Sequence, residues 1–407
     1  MSRQTTLVFL GIAHFLDHFF MLIFPTAVLV IHLEWGMGYE EALAYGTALF
    51  AAFALGTMPS GWLGDKWGLV PMMRVYFPAL GLASIATAFA DGPIALAIGL
   101  AAIGLAASIY HPVANALIVR LAERRGRALA ANGVCGNFGV AGAALVTGLL
   151  AESFGWRVAF LIPGIVAVAI GVLFLWMARN GLAEDTAASV ATQDRNGAQA
   201  AGSFSLTTGL VGILAALCVM ALFGGLVFNG VTIAVPQLLS ESLANMDVSI
   251  GDVGIIAALV FAIGGFAQLP VGHLLDRVGP RPLLMTVAGC QIPLLLFIGF
   301  GEALAVPVAL AVLVMFIFGE VPIGSWLIGH YIAPEWRSRI YAVQTLLGLG
   351  VGAAAVPLIA LAYGWIGDMG LVFTMLVPAA LAVFIAALTL PGIKQLKQPI
   401  GGLTPAE

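Results

Sequence analysis

The sequence predicts an all-α membrane protein of twelve transmembrane helices, built as two pseudo-symmetric six-helix bundles with both termini in the cytoplasm. Three observations predict it: an apolar composition, twelve long apolar runs and a lopsided distribution of basic residues. Hydrophobic residues fill 61% of the 407 positions and charged residues only 9%, and the mean hydropathy is +1.06. A soluble domain carries about 25% charged residues. Here 16 basic and 20 acidic residues cannot clothe a water-facing surface of this size, so most of it must face lipid. The net charge of −4 says little by itself, because the placement of the charges carries the information.

A helix that crosses the hydrocarbon needs roughly 20 mostly apolar residues. Cutting the chain at its charge and Gly/Pro clusters leaves such runs at 7–31, 42–62, 71–90, 93–119, 128–151, 157–178, 206–235, 253–272, 282–300, 304–330, 340–363 and 370–391. They are continuous and lack the ten-residue alternation of barrel strands. The first run continues past Val28 without a small-residue cleavage site, so it reads as a retained helix and not as a signal peptide.

Orientation follows from the basic residues. With the N-terminus inside, Arg3, Lys66, Arg74, Arg120, Arg124, Arg125, Arg127, Arg179, Arg195, Arg277, Arg281, Arg337, Arg339, Lys394 and Lys397 fall on the cytoplasmic side, and Arg157 alone falls outside. This is a strong positive-inside pattern, and one helix more or fewer would scramble it. Residues 179–205, rich in Ala, Gly, Ser, Thr and Gln without apolar periodicity, read as a flexible cytoplasmic linker. It separates a bundle at 1–178 from a bundle at 206–394, and 395–407 reads as a cytoplasmic tail. A bacterial inner (plasma) membrane is the expected location, and a monomer the expected state.

The two halves repeat. PSGWLGDKWG at 59–68 matches PVGHLLDRVG at 270–279, aligning Pro59, Gly61, Leu63, Asp65, Lys66 and Gly68 with Pro270, Gly272, Leu274, Asp276, Arg277 and Gly279. Each copy lies at a cytoplasmic turn after the second helix of its half. Glycine serves such a turn where the backbone packs closely or takes positive φ. Asp65 and Asp276 can favour a neighbouring helix N-terminus, and Lys66 and Arg277 can pair across the bundle interface. Equivalent bundles flanking one site are a common construction for alternating access.

Gly-x-x-x-Asp-[Lys/Arg]-x-Gly, repeated between helices two and three and between eight and nine, resembles the signature loop of the major facilitator superfamily. Gly155-Trp156-Arg157 with Phe160 at the turn between helices five and six is similar to the same family. The resemblance covers the whole chain and implies a secondary transporter. Gly61, Asp65, Lys66, Gly68, Asp276, Arg277 and Gly279, with Arg120 at the inner mouth, are then gating residues that latch the cytoplasmic face. A narrower resemblance, to the fosmidomycin-resistance branch of exporters, rests on His14-Phe15-Leu16-Asp17, His111-Pro112 and Gly133-x-x-Gly136-Asn137-x-Gly139, and implies proton-coupled efflux. The chain departs from proton-coupled and drug-antiporter patterns in having no arginine within helix four and no Gly-Pro-x-x-Gly-Gly in helix five.

The intramembrane polar residues mark the candidate site. Asp17 and Glu320 are the carboxylates deep in a predicted helix, and no lysine or arginine lies near the midplane. A charge at the centre of a membrane helix costs roughly 2.5–3.5 kcal/mol, so such residues face the bundle interior. His14, Asp17 and His18 are spaced i, i+3, i+4 and share a helix face; His111 is on helix four. Carboxyl and imidazole groups in a cavity that opens to alternate sides can change protonation in the physiological range. Asp17 and Glu320 are therefore the candidates for proton coupling. His14, His18, His111, Asn115, Asn229 and Trp326 are the candidate substrate contacts, and a structural network of buried hydrogen bonds is the competing reading. In the family that is resembled, helices one, four, seven and ten line the central cavity, where these residues fall.

Two acids, several histidines and no midplane base suit a neutral, zwitterionic or cationic small organic solute. An alternative is transport of a divalent transition metal held by His14, Asp17 and His18. Another is a membrane sensor or assembly factor that keeps the transporter fold, although the chain carries no large extra domain. No Gly-x-x-x-x-Gly-Lys-[Ser/Thr] loop is present to bind ATP, no hydrolase constellation stands out, and no cofactor or nucleic acid is implied. Cys135, Cys218 and Cys290 are far apart within apolar runs and suggest neither disulfide nor metal centre.

Overall fold

The structure is a computed structural model that describes residues 1–123, 125–179, 208–301, 303–332 and 334–390. Beyond Arg179 the expected linker lies outside the described residues, as do residues 391–407 with the expected tail. Twelve helices long and apolar enough to cross a membrane are present among the described residues. They are α1 Arg3–Trp35, α2 Tyr39–Trp67, α3 Leu69–Ala88, α4 Pro93–Leu121, α5 Ala128–Phe154, α6 Trp156–Ala178, α7 Leu210–Ser242, α8 Ile250–Val278, α9 Pro280–Phe300, α10 Ala305–Tyr331, α11 Arg339–Ile366 and α12 Met369–Leu388. Every run expected from the sequence has its helix, with ends displaced by a few residues.

Several spans are interrupted, and proline chemistry accounts for three of the interruptions. Proline lacks an N–H and its ring crowds the carbonyl four residues earlier. Pro112 lies just after the break at Ser108–Ile109 in α4, Pro270 after the break at Ala267 in α8, and Pro378 after the break at Met375–Leu376 in α12. The Ser108 hydroxyl partly repairs the first, donating to the Leu105 carbonyl at 2.7 Å. α7 contains a π-helical turn at Met220–Gly224, a local widening that recurs at functional sites.

Within the first half α1 packs along α5, α3 along α6 and α2 along α4; in the second, α9 packs against α10 and α12, and α8 against α10. Glycine permits the closest of these approaches. A methyl at Gly139 of α5 would collide with the Phe15 carbonyl of α1, and one at Gly81 of α3 would lie 2.6 Å from the Gly164 carbonyl of α6.

The halves meet through α5 with α8, α2 with α11 and α1 with α7. At the face carrying the C-terminal ends of α1, α5, α7 and α11 the contact is tight. A methyl at Gly254 of α8 would lie 2.6 Å from the Ala144 carbonyl of α5, and the Tyr39 ring meets the Tyr363 ring edge-on at 5.2 Å. The apolar core there runs through both halves. At the opposite face the second half has a separate core of its own, made by the adjacent ends of α7, α8, α9, α10 and α12, with Leu217, Leu275, Leu284, Leu327 and Ala387 among its members. One face of the molecule is closed between the halves and the other is parted.

Candidate functional site

The site is built around the middle of α1. A long apolar helix that carries His14, Asp17 and His18 on one face must bury that face against neighbours that can accept polar groups. α4 supplies them. Its break at Ser108–Ile109 starts a new helical segment at Tyr110, which aims Tyr110 and His111 at α1. His111 Nε2 comes within 3.3 Å of Asp17 Oδ2. The approach lacks hydrogen-bond alignment, and His111 Nε2 and Asp17 Oδ1 are both buried without a hydrogen-bond partner. The three imidazoles gather with ring centroids 4.9 Å apart for His14 and His18, 5.4 Å for His14 and His111, and 5.8 Å for His18 and His111.

A second ring of groups fixes His14. Its Nδ1 lies 2.7 Å from the Asn132 backbone carbonyl of α5 and 3.1 Å from the Asn132 side-chain nitrogen; the carbonyl can only accept, and with the proton on Nδ1 to meet it the lone pair lies on Nε2. That Nε2 is buried and has no hydrogen-bond partner. The Tyr110 ring stacks on His14 at 4.8 Å. Its hydroxyl and the Asn132 side-chain amide lie within 2.8–3.0 Å of each other, and Tyr76 of α3 donates to the Ala13 carbonyl at 2.8 Å. Gly136 of α5 lets the histidines pack close against its backbone: a methyl there would stand 2.7 Å from His14 Nε2 and 2.9 Å from His18 Cδ2. His14 and Asp17 are buried, while His18 and His111 keep partial exposure.

Glu320 occupies the other half. It is buried in α10 and points at the π-turn of α7, where a methyl at Gly224 would meet its carboxylate. Gln291 of α9 is its polar neighbour, although Gln291 Nε2 finds no aligned partner. Among the described residues Glu320 forms no ion pair.

The remaining candidates are dispersed. Asn115 is partly exposed one helical turn beyond His111, on the same face of α4. Asn229 ties α7 to α11, its amide donating to the Gly225 carbonyl at 2.8 Å and the Gly348 carbonyl at 3.0 Å. Trp326 serves the second copy of the repeated turn: its Nε1–H donates to Asp276 at 3.1 Å, and its ring stacks on His330 at 4.4 Å. Neither Asn229 nor Trp326 joins the histidines.

The repeated turns use glycine where φ is positive, +99° at Gly68 and +81° at Gly279. Gly61 meets only an ordinary contact with Pro112, and Gly272 has open space around it. Asp65, Lys66, Arg277 and Arg120 are exposed, and Lys66 lies over the Trp62 ring at 4.9 Å. Among the described residues no ion pair joins these groups across the halves, which agrees with the parting of that face. The expected pairing of Lys66 and Arg277 with the opposite half is thus not made in this conformation.

Sequence reasoning singled out neither Tyr110 nor Gln291. Tyr110 precedes His111 directly, but a tyrosine in an apolar run carries no mark of its partner. The partners of Asn132 depend on which helix lies beside α5.

Comparison with known proteins agrees with this architecture. The family model described as Major Facilitator Superfamily matches residues 10–319. A curated relative from Cupriavidus pinatubonensis (strain JMP 134 / LMG 1197), named as the probable 4-methylmuconolactone transporter, is 26% identical over 283 residues, covering 68% of this chain and 63% of the relative. The matched region thus spans less than two thirds of that relative. Among solved structures, a bacterial homologue of the human lysosomal transporter Spinster, inward-facing and occupied, gives a TM-score of 0.72 at 15% identity, covering 95% of this chain and 96% of the other. A D-xylose–proton symporter gives 0.71 at 14% identity, covering 95% and 98%. At such identities these likenesses establish the fold. With its family model spanning most of the chain, its twelve helices and its repeated turn, the chain belongs to the Major Facilitator Superfamily.

Proposed function

We propose that the protein is a secondary active transporter that moves a small organic solute by alternating access, coupled to protons through Glu320. The observation that carries the coupling is the setting of that carboxyl group: buried in α10, beside an amide and a glycine, with no cation paired to it among the described residues. A carboxylate in an apolar interior without a counter-charge is costly, and taking up a proton relieves that cost. Protonation then becomes linked to whichever conformation buries the group.

Asp17 stands differently, because His111 Nε2 lies 3.3 Å from its Oδ2. It forms, with His14, His18, His111 and Asn115, the wall that meets the solute. A wall of imidazoles and one carboxylate, with no lysine or arginine, suits a neutral, zwitterionic or cationic organic molecule. The name of the 26% identical relative supports the small organic class.

The positive-inside pattern supports cytoplasmic termini and hence an inward-open conformation, in which the parted face carries the repeated turns. Efflux across a bacterial inner membrane by a monomer accords with the resemblance to the fosmidomycin-resistance branch. A solute panel screened by thermal shift on purified protein, followed by uptake into proteoliposomes with and without an imposed pH gradient, tests the reading. Glu320→Gln should retain solute counterflow and lose the response to the gradient. Undiminished gradient-driven uptake by that variant would overturn the coupling.

A further inference from the structure

The histidine cluster has a property that solute contact does not require. His14, His18 and His111 each offer a nitrogen, and the three ligand atoms lie within 4.8 Å of one another. We propose that His14, His18 and His111, together with Asp17, form a binding site for a divalent transition-metal ion halfway along α1. The proposal does not depend on the role of Glu320.

Zinc in a tetrahedral site sits about 2.0–2.1 Å from each nitrogen, which places neighbouring ligand atoms roughly 3.4 Å apart. The 3.3 Å separation of His111 Nε2 and Asp17 Oδ2 already has that spacing. The histidine nitrogens, within 4.8 Å of one another, stand wider than that, so the partly exposed His18 and His111 must draw in to coordinate one ion. His14 and His18 stand one turn apart on α1, the i, i+4 arrangement by which a helix presents two imidazoles to one metal.

Two further observations point to a ligand and not to a satisfied network. His14 Nε2, His111 Nε2 and Asp17 Oδ1 are buried without hydrogen-bond partners, and such orphaned atoms are rare in folded proteins. Three of the ten such atoms among the described residues thus fall in this one cluster. Next, His14 Nδ1 is held by the Asn132 carbonyl at 2.7 Å, the outer contact that orients a metal-binding histidine and leaves its other nitrogen free to coordinate. Imidazoles with a single carboxylate suit Zn²⁺, Co²⁺, Ni²⁺ or Cu²⁺ over Mg²⁺ and Ca²⁺, which prefer oxygen. The partial exposure of His18 and His111 provides the entry side.

The test is a titration of full-length purified protein, carrying no histidine tag, with Co²⁺ and Zn²⁺ by calorimetry and visible absorption, and with Mg²⁺ as control. Wild type should bind one Co²⁺ per chain, with the absorption of a four- or five-coordinate nitrogen/oxygen site, and should not bind Mg²⁺. His18→Asn and His111→Asn should each weaken binding by more than about tenfold, as should Asn132→Ala, whose carbonyl remains but whose amide no longer steadies Tyr110. Glu320→Gln should bind metal like wild type whatever becomes of proton coupling, so the two proposals fail separately. X-ray absorption on the cobalt-loaded wild type, which needs no variant to fold, should show scattering from imidazole ligands. Absence of Co²⁺ and Zn²⁺ binding up to millimolar concentration, binding indifferent to both histidine substitutions, or a cobalt spectrum without imidazole scattering would each overturn the site.

Discussion

The Glu152 carboxylate, at the end of α5, accepts hydrogen bonds from the Gly251 backbone N–H at 2.9 Å and the Ser249 hydroxyl at 3.1 Å, in the first turn of α8. One side chain of the first half thereby caps a helix of the second. A helix N-terminus has unpaired N–H groups and a positive dipole end, so a carboxylate is well matched to it. The contact lies at the closed face, where Gly148 and Gly254 already bring the two backbones together.

Alternating access requires that contact to break. Glu152→Gln weakens a charge-assisted, solvent-exposed hydrogen bond worth about 1 kcal/mol, which corresponds to roughly a fivefold shift in population toward the conformation opened at this face. Spin labels on Leu149→Cys and Ile255→Cys, in a background without Cys135, Cys218 and Cys290, should report a larger long-distance fraction. An unchanged distance distribution would show that glycine packing alone holds the face.

Two glycines of one helix should respond oppositely to the same substitution. Gly139→Ala drives a methyl into the Phe15 carbonyl of α1, whereas Gly133→Ala meets nothing within 4 Å. The first should cost about 1–3 kcal/mol as overpacking. The second should be neutral or slightly stabilising, because alanine favours the helix. Thermal unfolding in detergent should separate them, and equal melting temperatures would refute the close approach of α1 and α5.

Tyr110→Phe keeps the ring stacked on His14 but removes the hydroxyl that meets Asn132 and the Leu10 carbonyl. Leaving a buried partner unpaired costs about 1–3 kcal/mol. The variant should melt earlier and transport with a raised KM, because His14 loses the group that steadies Asn132. A normal KM in a destabilised variant would confine Tyr110 to packing.

The short Arg157–Glu34 ion pair, 2.6 Å long, should matter far less. Both side chains are about two-fifths exposed, and exposed pairs contribute roughly 0–1 kcal/mol. Arg157 also donates to the Ala90 carbonyl and lies over the Trp156 ring, so Glu34→Gln leaves it anchored. The melting temperature should stay within about 1 °C of wild type.

Much of the architecture is legible in the sequence because its rules are local. A run of apolar residues long enough to span lipid needs no partner to be recognised, and the repeated turn places positive-φ glycines at Gly68 and Gly279 by motif alone. The candidate site is legible only as far as a single helix reaches. The i, i+3, i+4 spacing puts His14, Asp17 and His18 on one face, but the approach of His111 depends on the break that Pro112 imposes on α4 and on which helix lies opposite. Asn229 and Trp326 show the limit: both are polar groups on expected cavity helices, yet one spends its amide on α11 and the other its indole on Asp276. A long side chain has several neighbours within reach, and composition does not choose among them.

By itself the amino-acid sequence determined the number of helices and the duplication of the halves, because hydrophobic length and repetition are properties of the chain alone. Only the tertiary structure decided that three histidines and Asp17 stand in one cluster while Glu320 faces the π-turn of α7 in the other half. It alone decided, too, that the closed face is held by Glu152 while the repeated turns stand apart. The physical reason is the range of the forces involved. Burial of apolar surface acts on whole segments whatever their neighbours, whereas a hydrogen bond or an ion pair exists only when two particular atoms are brought within about 3 Å, and in a bundle of helices that is settled by packing.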